Sequence, residues 1–302
     1  MVVILGAGSL HDALIAAAMR GHGVRARACA PPDDRARDLA RQLLPRGHTA
    51  TTHALVASLL ADARAHGSDD EPAEYIVPGD RCGGYASDLR RALRGAGLVD
   101  AVVYALAPER GPSMALPEAL RRACGPALWL SLLRAVATGD ALERAHARLV
   151  CAGLSAPSAR AAVEVCLVEL LDALERRRGL FGPLRRSSLA RLLALHPEEP
   201  AVRARVAGEL VPSRAEYGLS GAVFERLARP GLLVEATDTC AWLLYALHRA
   251  RLDPALGGRL SALVHRAHAA ALRSLGLSPV ALVDAGASAA DLRALFPVRH
   301  CA

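Results

Sequence analysis

The sequence contains no lysine: all 37 of its basic residues are arginine. That absence excludes Schiff-base catalysis and lysine general-base chemistry, and with them a phosphate-binding P-loop, which requires its lysine. Aromatic residues make up only 3 % of 302 residues, too few for platforms on which nucleobases stack. The arginines are spread along the chain, apart from Arg176-Arg177-Arg178 and short pairs such as Arg185-Arg186. The net charge of +7 therefore forms no stripe, and no nucleic-acid partner is expected. All-arginine usage reads as the mark of a GC-rich coding sequence; a basic surface for phosphate-bearing ligands is the alternative.

Long apolar runs are also missing. No stretch reaches 18 apolar residues without a charge, so no membrane span is expected. The N-terminus, Met1-Val2-Val3-Ile4-Leu5-Gly6, lacks the basic lead of a secretory signal, and His11 and Asp12 interrupt its apolar run. A cytoplasmic location is the expectation. The seven cysteines, Cys29, Cys82, Cys124, Cys151, Cys166, Cys240 and Cys301, are odd in number and form no CxxC pair. Neither a disulfide framework nor a zinc site of neighbouring ligands is expected. No GxSxG or HExxH signature occurs.

What is present is aliphatic: apolar residues are 52 % of the chain, enough to build one large domain or two modest ones. The first hundred residues alternate short apolar runs with helical spacing. Strands are predicted at Val2–Leu5, Val24–Ala30, Tyr75–Val77 and Val102–Leu106. Helices are predicted at Asp12–Arg20, Asp33–Leu44, His53–Ala65 and Ser87–Arg94, the last with Ser87 as its N-cap. From Pro117 to His196 strand signals vanish and amphipathic stretches take over. Within Ala161–Arg178, Val165, Val168, Leu171 and Leu174 share a face, and Arg176 to Arg178 read as a solvated cap. Alternation resumes near Ala201, with strands at Val202–Leu210 and Leu232–Ala236 and helices at Leu219–Ala228, Thr239–Arg251 and Leu256–Leu275. The predicted fold is α/β: two Rossmann-like lobes with parallel sheets, 1–116 and 201–302, joined by a helical section, 117–200.

Gly6-Ala7-Gly8 follows a strand but lacks the third glycine of a dinucleotide fingerprint, His11 standing there, so it reads as a plain strand-to-helix turn. The most unusual segment is Pro78-Gly79-Asp80-Arg81-Cys82-Gly83-Gly84-Tyr85, at the carboxyl end of a predicted strand, where open α/β sheets place their sites. Gly79, Gly83 and Gly84 let backbone approach a ligand. Arg81 suits a carboxylate or phosphate, and Cys82 suits a metal or a reactive thiol. A flexible turn around a buried cysteine is the competing reading. His48, His53 and Cys82 fall in the same lobe, without a metal-site spacing; the histidines read as surface or capping residues. Glu209, after the first strand of the second lobe, is the partner expected across the cleft from the loop.

Several segments in order resemble the 2-hydroxyacyl-CoA dehydratase family, in particular its activase-related branch. They are the strand, glycine turn and helix of Val2–Arg20, then His48-Thr49-Ala50-Thr51 leading into Val56-Ala57-Ser58-Leu59-Leu60. Tyr75–Gly79 with Asp80-Arg81-Cys82-Gly83-Gly84-Tyr85, Leu89–Leu93 with Gly97-Leu98, and Ala101–Leu106 follow. In the second half come Val206-Ala207-Gly208-Glu209-Leu210, Phe224–Arg229, Leu232–Glu235 and Trp242-Leu243-Leu244-Tyr245. The resemblance covers about two thirds of the chain. It implies two α/β lobes, an acyl-CoA-like ligand between them and a dehydratase or activase partner protein; their position at carboxyl ends of predicted strands makes Gly79, Asp80, Arg81, Gly83, Gly84, Tyr85 and Glu209 the expected anion-binding residues of that cleft. The family chemistry is ATP-driven electron transfer to a dehydratase [4Fe–4S] cluster.

Asp80 and Thr49 stand where the family carries cysteines, which leaves Cys82 as the metal-ligand candidate. The resemblance therefore implies a degenerate member without a cofactor. Its alternatives are an active iron–sulfur component that keeps a cluster through Cys82 and residues such as Cys240, and a non-enzymatic regulator or scaffold. Whether the chain is an enzyme stays open on these residues. Anaerobically purified protein is expected to be colourless, with substoichiometric iron. A broad visible absorbance that disappears in Cys82→Ala would overturn that expectation.

Overall fold

Four short apolar runs pair side by side in the computed structural model, which describes residues 1–6, 9–44, 50–66, 72–78, 84–98, 101–106, 116–196, 266–267 and 269–277. They are β1 (Val2–Ile4), β2 (Ala26–Ala28), β3 (Glu74–Pro78) and β4 (Val102–Leu106). All pairings are parallel and the order is β2-β1-β3-β4. Val2 lies opposite both Ala26 and Glu74, and Glu74 opposite Val102. The carboxyl ends of all four strands therefore share one edge.

Side-chain alternation divides this sheet between two cores. Val2, Ile4, Ala26 and Ile76 face one; Val3, Leu5, Tyr75, Val77 and Val103 face the other. After β2 the chain passes back across β1 to reach β3. Right-handed crossovers then require helices on opposite faces. Helix α1 (Ser9–Gly21) accordingly lies on the first face, and α2 (Asp34–Leu43), α3 (Ala50–His66) and α4 (Gly84–Gly95) on the second.

One crossover helix cannot cover its face of the sheet, and α1 shows the consequence in its composition. From Leu10 to Met19 it is apolar on every side except for His11 and Asp12, and Leu14 to Met19 are fully buried. A helix apolar all round needs cover on all sides. The cover comes from α5 (Glu118–Ala123), α6 (Pro126–Cys151), α7 (Ala156–Glu175), α8 (Phe181–Arg186) and α9 (Ser188–Ala194). Helix α6, 26 residues and so about 39 Å long, and α7 pack directly on α1. Helical residues 269–274 and the turn after them close the same core through Ala271, Leu272, Leu275 and Leu277. Local caps set the helix starts: Asp33 accepts from the Ala36 N–H at 2.7 Å, Ser155 from Ser158 at 3.3 Å, and Ser187 from Ala190 at 3.1 Å. No helix among the described residues is long and apolar enough to cross a membrane.

Several expectations change in detail. The second strand spans Ala26–Ala28 rather than Val24–Ala30. Helix α4 begins at Gly84, so Ser87 lies inside its first turn and is not its N-cap. On α7 the buried stripe is Ala159, Val163, Cys166, Leu170, Ala173 and Leu174, whereas Val165 and Val168 are 56 % and 67 % exposed. The helix carries two apolar stripes, and the one rich in alanine and cysteine permits the closer approach to α1 and α6. Arg176 and Arg178 are exposed, but Arg177, at φ 54°, also donates from Nε to the Gly21 carbonyl at the end of α1. The predicted elements from Val202 to His265 and the short C-terminal helix at Asp291–Phe296 lie outside the described residues.

The α1–α7 junction is close. A Cβ placed on Gly21 would lie 2.5 Å from the Leu174 carbonyl oxygen and 3.1 Å from that of Glu175. Both are backbone atoms, so the helices must separate to admit it. Gly21→Ala is expected to destabilise the protein by about 1–3 kcal/mol, read as a lowered midpoint in urea with an unchanged slope. An unchanged midpoint would show that the helices do not meet this closely.

Candidate functional site

In an open parallel sheet a crevice forms where neighbouring strands send their chains to opposite faces, outside the carboxyl ends. Here that switch point lies between β1 and β3, since α1 leaves β1 on one face and α4 follows β3 on the other. From β1 the chain turns at Gly6, whose φ of 100° suits glycine. The Gly6 N–H donates to Asp12 Oδ2 at 3.2 Å. Asp12 is buried on the first turn of α1, and its carboxylate occupies an amide that a phosphate would need at this turn. This geometry fits a plain strand-to-helix turn.

β3 ends at Pro78, and α4 begins at Gly84. Gly84 and Tyr85 open α4. Gly79, Asp80, Arg81, Cys82, Gly83 and Glu209 lie outside the described residues, as does His48. His53 is half-buried on α3. The described structure thus fixes both ends of the predicted loop at the switch point, and brings none of its side chains together with another predicted site residue. No group of three His, Cys, Asp or Glu among the described residues is placed to hold a metal ion.

Next to this edge lies a buried charged cluster that the sequence reading did not single out. His11 Nε2 meets Asp140 Oδ1 at 2.8 Å, and His11 Nδ1 lies 3.4 Å from Glu143 Oε1. His11 and Asp140 are wholly buried, and Glu143 is one-third exposed. Positions 140 and 143 are three apart on α6, so both carboxylates face α1. Gly139 makes room: a Cβ there would lie 2.5 Å from the imidazole ring. Burial by itself pushes the imidazolium down, but hydrogen bonds and charge from Asp140 and Glu143 outweigh it and raise His11 to about 10. An imidazolium held this firmly does not accept protons at neutral pH; it fastens α1 to α6. Asp140, Arg144 and Arg148 share a stripe of α6 at four-residue spacing, all buried, and Arg148 donates to the His196 carbonyl.

On the other face Asp62 of α3 ties the helix to two strands. It accepts from Arg27, at 2.8 Å for the Nη2–Oδ2 pair, and from the Tyr75 hydroxyl at 2.9 Å. Burial, and then the charge of Asp62, pushes the Tyr75 hydroxyl up. Burial first and Asp62 and Asp12 next do the same to the Cys29 thiol, which donates to the Ser58 carbonyl at 3.3 Å. A thiol kept protonated is a poor nucleophile, so Cys29 belongs to the packing of β2 on α3.

The chain matches no family model, no curated protein and no solved structure.

Because the folded state holds the His11 proton more tightly than an unfolded chain, the cluster stabilises the fold in full below pH 6.5. That stability is lost as pH rises from 6.5 to about 10. His11→Gln is expected to flatten this dependence and to lower stability near pH 6 by about 3–5 kcal/mol, since it removes the buried cation that Asp140 and Glu143 face. Replacing both partners, His11→Leu with Asp140→Leu, should restore most of the loss. Urea titrations of the three proteins at pH 6 and pH 9.5 check this, and a wild-type curve no steeper in pH than that of His11→Gln would refute it.

Proposed function

We propose that the chain is a degenerate relative of the 2-hydroxyacyl-CoA dehydratase and activase-related proteins, a cytoplasmic protein that binds an acyl-CoA-like anion or a partner protein of that system. The observation that carries the reading is the strand order. It makes β1 and β3 the switch-point pair, and the resemblance had already selected residues 79–83, which connect β3 to α4. The segment that the resemblance includes is thus the connection that leaves the switch point of the sheet.

In this reading the ligand lies against Gly79, Asp80, Arg81, Gly83, Gly84 and Tyr85, and a second α/β lobe formed from 201–302 brings Glu209 to the opposite wall. Arg81 donates to the carboxylate or phosphate of the ligand, and the glycines leave backbone N–H groups accessible to it. With the site empty, Asp80 and Glu209 hold the guanidinium. Cys82 by itself supplies too few soft ligands for a cluster, so the role is binding and not electron transfer.

Calorimetric titration with acetyl-CoA checks the assignment. Arg81→Ala is expected to weaken binding by about 1.5–3 kcal/mol, the range for a charged hydrogen bond, with an unchanged melting temperature. A lowered melting temperature with unaltered acetyl-CoA affinity would make Arg81 a structural anchor and remove the site.

A further inference from the structure

The outer side of α4 has a concave surface that the proposed function does not use. Ser87, Arg90, Arg91 and Arg94 line a depression of about 320 Å3. Their spacing of three, four and seven positions from Ser87 places them on one face of the helix. No acidic residue is among them. Arg90 is held in place, its Nη2 donating to the Val103 carbonyl at 2.8 Å. Arg91 Nη2 forms an i,i+3 ion pair with Asp88 Oδ1 at 3.6 Å. Arg94 is exposed and makes no ion pair among the described residues. Three like charges on adjacent turns repel one another, and the buried side of α4 is made by Leu89, Ala92 and Leu93.

We infer that this face of α4 is a binding site for the diphosphate group of a small molecule, held by Arg90, Arg91 and Arg94 with Ser87 at one end. Guanidinium groups pair with phosphate oxygens in a fixed two-pronged geometry, and a hydroxyl adds one more donor. The volume is that of a small-molecule site. Ser87 and Arg94 are about 10 Å apart along the helix axis, a length filled by a diphosphate and the group attached to it. A nucleic-acid strand would overrun that length, and no aromatic residue for it to stack on is among the described residues that line the depression. Two sources offer the same chemistry, a free nucleoside diphosphate and the diphosphate arm of coenzyme A.

Full-length protein titrated at low ionic strength with pyrophosphate, ADP and coenzyme A tests the inference. The wild type is expected to bind pyrophosphate saturably. Arg91→Gln with Arg94→Gln is expected to bind pyrophosphate and ADP at least tenfold more weakly, with an unchanged melting temperature because both side chains are exposed. Should the double variant melt early, Arg94→Gln alone provides the same comparison. Coenzyme A binding more tightly than ADP identifies the coenzyme as the source; ADP binding as tightly identifies a free nucleotide. Acetyl-CoA affinity, which Arg81→Ala tests, and pyrophosphate affinity, which the double variant tests, are read separately, so failure of the loop between β3 and α4 as a site is distinguished from failure of this one. A wild type without saturable pyrophosphate binding at millimolar concentration, or a double variant of unaltered affinity, overturns the inference.

Discussion

The contact between His11 and Asp140 joins residues 129 positions apart in the chain, and the first face of the sheet is organised around it. Helix α1 has no polar side to offer water, so it exists only as a helix covered by others. Apolar packing alone would let α6 slide or rotate on such a surface. A buried imidazolium between two carboxylates permits one register, because any shift strands a charge in the core. Gly139 makes the same demand in steric form: only a residue without a side chain brings α6 close enough to the ring. Charge and shape thus specify one arrangement, and α7 seats against α1 and α6 in that frame.

Strand–helix alternation was legible over the first hundred residues because each strand is a short β-branched or aliphatic run between turn residues, and parallel strands buried on both faces read that way. Val102–Leu106 was bounded correctly. Where boundaries slipped, local signals competed. Val24 and Cys29 continue the apolar run of β2, but the turn at Gly23 and the prolines after Ala30 leave only three residues paired. On α7, spacing alone could not say which of two apolar stripes would be buried; that depends on the surface that α1 and α6 present.

The charged cluster was not legible by motif, because its members come from helices far apart in sequence and have no fixed spacing. The signal lay in context. His11-Asp12 is a polar interruption in the otherwise apolar run from Leu10 to Met19 of α1, and a charge in such a run requires a partner of opposite sign elsewhere. The segment 79–83 between β3 and α4 drew attention for the opposite reason, since its glycines, arginine and cysteine are contiguous and follow a predicted strand; its residues lie outside the described ones.

Both ends of α1 are held by residues that come much later in the chain: His11 by Asp140, and Arg20 by Glu175 across 155 positions. A ribosome releases the strands and α1 long before it releases α7. Through that interval an unusually oily helix has none of α5 to α9 to lie against, and its apolar surface stays open until those helices emerge. Order of synthesis and order of assembly therefore run opposite to each other on this face, whereas α2, α3 and α4 meet their strands almost as they emerge.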